Sequence, residues 1–131
     1  MNPTRSVVCL LLLVCLYAAF DALMERLIPL PFTAYPTKGI ASFYTEQMTS
    51  TGAAFKNDAL TCALRRKDYG TRYNVCSVQS GKCVAVVHND WGPRWYLFLR
   101  GRIIDLSPAA FRQIGDLDQG LIEVRIEKIP K

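Results

Sequence analysis

Apolar positions along the 131-residue chain fall into two regimes. From Ser6 to Phe20 (S-V-V-C-L-L-L-L-V-C-L-Y-A-A-F) no residue is charged, and a helix there would be apolar on every face, with Arg5 before it and Asp21 after it. A surface helix keeps a polar face, so this run reads as a membrane or leader segment rather than part of a core. Its residues span roughly 22 Å, short of the roughly 30 Å of a bilayer interior. Continuation through Asp21 and Ala22-Leu23-Met24-Glu25-Arg26-Leu27-Ile28 supplies the missing length. Pro29, Pro31 and Pro36 then stop the helix and favour an extended path. The chain thus divides into residues 1–28, a signal anchor or signal peptide with helical extension; 29–37, a Pro-rich linker; and 38–131, the folded domain. The stretch from Asp21 to Lys38 is expected to carry no chemistry and only to space the domain from the membrane.

From residue 38 the period shortens. Ile40 to Tyr44 predicts a first strand, Thr45 to Ala54 a polar, Gly-punctuated rim loop, and Ala59 to Leu64 a short strand or helical turn. Tyr73 to Val78 and Lys82 to His88 predict a hairpin, with Ser80-Gly81 supplying positive backbone angles. Arg102 to Asp105 is a further strand. Ser107 is a good N-cap for a helix from Pro108 to Ile114, with Gly115 placed for a left-handed C-terminal cap. In Leu121 to Lys128, Leu121, Glu123, Arg125 and Glu127 alternate with Ile122, Val124, Ile126 and Lys128, the pattern of a strand with one wet face. The fold class is mainly β, with one short helix and a preceding hydrophobic helix.

The flanks of the apolar run bear on its fate. No A-x-A precedes a cleavage position, and Val14 stands where a lipoprotein cut before Cys15 wants Gly, Ala or Ser. An uncleaved anchor is therefore expected, with a cleaved signal and lipidation left open. Arg5 on the short side predicts that side cytoplasmic and the domain exported, periplasmic or extracellular, or secreted if the segment is cut. Oxidising conditions would let Cys76 and Cys83, which flank the hairpin turn, form a disulfide and leave Cys62 a buried thiol. Three domain cysteines and one histidine without C-x-x-C spacing argue against a metal site, and no cofactor is expected.

The polar chemistry concentrates between Val86 and Ile114. The apolar run Val84 to Val87 ends in His88-Asn89-Asp90 and turns at Gly92-Pro93, which delivers polar groups to a barrel rim. His88 and Asp90, two apart on a strand, share a face. Asp105 ends the Arg102 strand, placing a second acid at a strand end.

N-D-W-G-P (Asn89 to Pro93) followed by R-I-I-D-L-S-P-A-A-F (Arg102 to Phe111) resembles the N-D-R-G-P and R-x-I-D-L-S-x-A-A signatures of the rare lipoprotein A family. Gly39-Ile40-Ala41-Ser42-Phe43-Tyr44 is similar to that family's G-x-A-S-W-Y, and the likeness includes Thr49-Ser50-Thr51-Gly52, Gly70-Thr71 and the strand from Leu121 to Ile129. The resemblance implies a six-stranded double-psi β-barrel and lytic cleavage of peptidoglycan glycan strands. It assigns Asp90 as the acid, with a family Glu at the position of Ala53 and a family His at that of Leu64, neither of which here can carry a proton. Asp105 also matches the Asp of H-F-D-L-S in expansins and related glycosidases, so Asp90 and Asp105 could form a pair with one carboxyl protonated.

His88 stands in for the missing His or else only hydrogen-bonds Asp90 or packs under Trp91; Asp105 is a second acid or else a barrel-closing group near the Ser107 cap. Tyr44, Asn89, Trp91, Arg94, Trp95 and Arg102 are candidate glycan contacts, with core packing the competing role for the aromatic ones. The segment from Arg94 to Gly101 is longer than in the family and reads as an apolar hairpin or flap. Charge adds one hint: residues 38–131 hold 14 Lys and Arg against 9 Asp and Glu, a net +5. A basic domain suits an anionic wall polymer or membrane surface, while Arg65-Arg66-Lys67 reads as a solvated turn. No nucleic-acid readout motif is present, so nucleic acid is not an expected partner. The two functions to weigh are a degenerate lytic transglycosylase using Asp90 and a non-catalytic wall-glycan binding or expansin-like loosening module.

Overall fold

The computed structural model describes residues 3–27 and 35–131. The apolar run forms helix α1 (Pro3–Leu27), long and apolar enough from Ser6 to Leu27 to cross a membrane. Six strands follow: β1 (Lys38–Phe43), β2 (Thr61–Ala63), β3 (Arg72–Ser77), β4 (Cys83–Asp90), β5 (Arg102–Leu106) and β6 (Leu121–Lys128). They close a barrel in the order β1-β5-β2-β4-β3-β6. β1 with β5 and β2 with β4 pair in parallel, and the other four pairs are antiparallel. The two parallel pairs each carry a register irregularity, at Ile40/Ala41 and at Cys62/Ala63. Such bulges twist strands and re-aim side chains, and the one between β2 and β4 lies at the end of β4 that carries Asp90.

Alternation builds the core. Val84, Val86, His88 and Asp90 of β4 face inward, as do Ile122, Val124 and Ile126 of β6. With Leu64, Val75, Ile104, Leu106 and Phe111 they fill the barrel and its flank under α3 (Pro108–Ile114). The Ser107 side chain caps α3 by accepting from the Ala110 N–H at 3.2 Å, as its position before Pro108 predicts. Cys76 and Cys83 are register partners on β3 and β4 and form a disulfide. Cys62 is a fully buried thiol.

Four local expectations need correction. Gly115 has φ −170°, extended rather than left-handed. A Cβ there would collide with Ile122 Cδ1 and lie 2.6 Å from Gln119 Oε1, so any larger residue would have to displace those two side-chain ends. In the hairpin turn only Gly81 takes a positive φ (+72°), and Ser80 does not. The Arg94–Gly101 segment is neither hairpin nor flap but a short helix, α2 (Trp95–Leu99), whose Phe98 is buried. Arg65 is not a solvated turn residue, being only 2% exposed. Of the Pro-rich linker, residues 29–34 lie outside the described residues, as does Ile28 before it. Its end is docked, since the Tyr35 hydroxyl donates to the Ile103 carbonyl at 2.6 Å and its ring lies 5.5 Å from that of Phe98.

Candidate active site

β4 ends in Asp90, β5 carries Asp105 near its end, and both acids are register partners of Ala63, through the parallel β2–β4 and the antiparallel β2–β5 pairing, which brings them to one mouth of the barrel. A cleft of about 580 Å³ opens there, lined by Tyr44, Ala63, Asp90, Trp91, Gly92, Arg94, Arg102 and Asp105 among others. A larger cavity of about 820 Å³ lies between the β3–β4 turn and the α3–β6 connection, away from both strand-end acids.

Asp90 is held at three points. Its Oδ2 accepts from the Tyr44 hydroxyl at 2.8 Å, and its Oδ1 from the Ser50 and Trp91 N–H groups, each at 2.8 Å. Tyr44 is pushed well above the usual phenol range, first by burial and then by this carboxylate, so it stays a donor. Asp105 Oδ1 accepts from Ser42 Oγ at 2.8 Å and from Arg102 Nε at 2.7 Å. Burial raises the Asp105 carboxyl, Arg102 and Ser42 only partly offset this, and the charge of Asp90 adds to the rise. Its Oδ2 lies 3.3 Å from where a Cβ on residue 92 would sit, so Gly92 leaves this oxygen uncrowded on the cleft side.

His88 shares its face with Asp90 but does not line the cleft. It is fully buried, Nδ1 lying 2.9 Å from Asp68 Oδ1 and Nε2 3.0 Å from the Asp90 carbonyl. There it supports the backbone beneath Asp90. Asn89 and Trp95 also fall outside the cleft lining, while Tyr44, Trp91, Arg94 and Arg102 lie in it. At the position of the family His, Leu64 is fully buried, its N–H donating to the Asp90 carbonyl at 3.1 Å; Ala53 is exposed in the rim loop.

The α1 end is where sequence reasoning missed most. Asp21 and Glu25 line the cleft. Glu25 Oε2 accepts from Arg65 Nη1 at 2.7 Å and from the Trp91 indole at 2.9 Å, and Asp21 Oδ1 from the Trp95 indole at 2.7 Å. The connector therefore carries polar contacts to the site. The available signal was the i, i+4 spacing of these acids, which puts them on one helix face opposite a basic domain. Asp68, which pairs with His88, was missed as well.

The family model described as lytic transglycolase matches residues 36–126. The chain belongs to the lytic transglycolase family. Among its curated relatives are the probable endolytic peptidoglycan transglycosylase RlpA of Nostoc sp., 43% identical over 69% of this chain and 25% of that protein, and the endolytic peptidoglycan transglycosylase RlpA of Pasteurella multocida, 36% identical over 74% and 33%. The chain thus spans about a quarter to a third of those relatives. Solved structures give the fold alone. A Clavibacter michiganensis expansin matches with a TM-score of 0.56 at 22% identity, covering 72% of this chain and 50% of the expansin. The Streptomyces papain inhibitor matches at 0.52 and 23%, covering 68% and 93%. The expected double-psi β-barrel and the family resemblance are both borne out. Within the lytic transglycolase family, this member keeps the Asp of N-D-x-G-P and has Ala53 and Leu64 where the other two functional residues are expected.

Proposed function

We propose that this chain acts on the glycan strands of peptidoglycan at the cell envelope, as a slow lytic transglycosylase whose general acid is Asp90. The observation that carries this reading is the pairing of Asp90 and Asp105 in one cleft, with Asp90 fixed by Tyr44, Ser50 and Trp91. The relatives named as peptidoglycan transglycosylases supply the substrate class. In the proposed step the Asp90–Asp105 pair carries one proton, which Asp90 gives to the bridging glycosidic oxygen as its bond to C1 breaks. The C6 hydroxyl oxygen of the same sugar bonds to C1, and its proton returns to the carboxylate pair. No water is consumed, so no water-activating base is needed, which suits a site without the family Glu and His. Asp105 serves as the second carboxylate, and Trp91 and Tyr44 offer aromatic faces to the sugar rings. α1 holds the barrel at the membrane, outside the cytoplasm.

A second reading rests on Ala53 and Leu64: a module that binds wall glycan without cutting it. Incubating the purified chain with peptidoglycan and analysing soluble products by mass spectrometry decides between them. Anhydro-sugar ends support the enzyme; binding without release supports the module.

A further inference from the structure

The polar end of α1 meets the cleft through a specific set of contacts. Both tryptophans of the chain donate their indole N–H to carboxylates on α1, Trp91 to Glu25 at 2.9 Å and Trp95 to Asp21 at 2.7 Å. Phe20 adds an edge contact to the Trp95 ring at 6.1 Å. The Glu25 carboxylate also pairs with the Arg65 guanidinium, whose side chain is 1% exposed, and accepts from the Trp95 N–H at 3.3 Å. One covalent step links these contacts to the acid: the Trp91 N–H that binds Asp90 Oδ1 belongs to the residue whose indole Glu25 holds.

We propose that the last two turns of α1 form a fixed wall of the cleft, with Glu25 and Asp21 as positioning residues for Trp91 and Trp95, and that the cleft therefore works on glycan lying against the membrane that α1 enters. The membrane and glycan parts rest on the function proposed above. Asp21 is the first charge after the apolar run, and Glu25 lies about 6 Å further along the axis at about 1.5 Å per residue. A cleft lined by both residues sits at the bilayer surface, with no spacer to let it reach distant wall layers. The substrate class is glycan carried at the membrane by a lipid.

The test uses the full chain in lipid nanodiscs. With ¹⁵N-labelled tryptophan, the two indole N–H resonances report the two contacts separately. Glu25→Ala is expected to shift the Trp91 signal, with partial return in Glu25→Gln, and Asp21→Ala to shift the Trp95 signal. Glu123→Gln, on the exposed face of β6, is expected to move neither. In parallel, a peptidoglycan fragment attached to a lipid in the same nanodisc is compared with the same fragment free in solution. Wild type is expected to prefer the membrane-held form. Glu25→Ala is expected to lower kcat on that form by about tenfold or more, with part of the loss restored in Glu25→Gln. Indole signals indifferent to Glu25→Ala and Asp21→Ala would overturn the docking. Indole shifts as expected with no preference for membrane-held glycan would overturn the substrate assignment. Indole shifts with no glycan bound in either form would overturn the glycan reading itself while leaving the docked helix in place.

Discussion

Restoring the family histidine by Leu64→His is expected to cripple the fold rather than repair the site. Leu64 is fully buried, within a cluster that includes Val75, Val86, Ile104 and Phe111. Removing a buried leucine forfeits about 1.5–3 kcal/mol of apolar burial, part of which an imidazole ring regains. The two ring nitrogens enter apolar surroundings, and a buried polar group without a partner costs about 1–3 kcal/mol. The net loss is about 3–4 kcal/mol. For a domain of this size 1 kcal/mol shifts Tm by about 4–8 °C, so a fall of about 12 °C or more is expected at pH 8. A histidine buried here binds its proton less readily than in the unfolded chain, where its pKa is about 6.5. The unfolded state then carries more protons, so stability rises with pH and the defect deepens on going from pH 8 to pH 5. Ala53→Glu, on the exposed rim loop, should leave Tm within a few degrees, surface changes being worth about ±0.5 kcal/mol. Thermal melts followed by far-UV circular dichroism measure both. A Leu64→His protein melting within about 3 °C of the parent at both pH values would refute this reasoning.

Two further expectations concern the scaffold. Burial alone would raise the Asp68 carboxyl, but the Tyr73 hydroxyl, Arg66 and His88 outweigh it and hold the group below the usual carboxylate range. Such a group stabilises the fold above its unfolded pKa of about 4, and that stability is lost as pH falls through the lower folded value. Asp68→Asn should therefore lower Tm at neutral pH and flatten the acid-side decline, and parallel pH profiles for the two proteins would count against the cluster. The Cys76–Cys83 bridge spans seven positions, for which loop-closure entropy predicts about 2–3 kcal/mol. Reduction should lower Tm by about 8 °C or more, and Cys62, whose thiol burial pushes up, should react with thiol reagents only after unfolding. An unchanged Tm after verified reduction would contradict the first part.

Local chemistry made much of this legible. The Ser107 cap, the Cys76–Cys83 hairpin and the placement of Asp90 and Asp105 at strand ends follow from spacings of a few residues, which sequence pattern captures. What stayed hidden depends on groups far apart in the chain. Arg65 looked solvated in a run of three basic residues, yet its carboxylate partner Glu25 lies 40 positions earlier. His88 looked like a rim residue because alternation fixes its face but not its depth; the barrel places it beneath Asp90, against Asp68. Gly115 looked like a left-handed cap, whereas the constraint on it is contact with Ile122 on β6. The connector looked inert because its acids become part of the site only once α1 folds back against the barrel mouth.

The central claim is that Asp90 delivers the proton for glycan cleavage, and Asp90→Asn tests it most directly. The amide keeps the shape and much of the hydrogen bonding to Tyr44 but has no proton to transfer in its place. The rate of anhydro-sugar release from purified peptidoglycan, measured by mass spectrometry alongside sedimentation binding, is predicted to fall by about 100-fold or more while binding stays within a few-fold. Release that continues undiminished in Asp90→Asn would contradict the assignment and move the acid to Asp105.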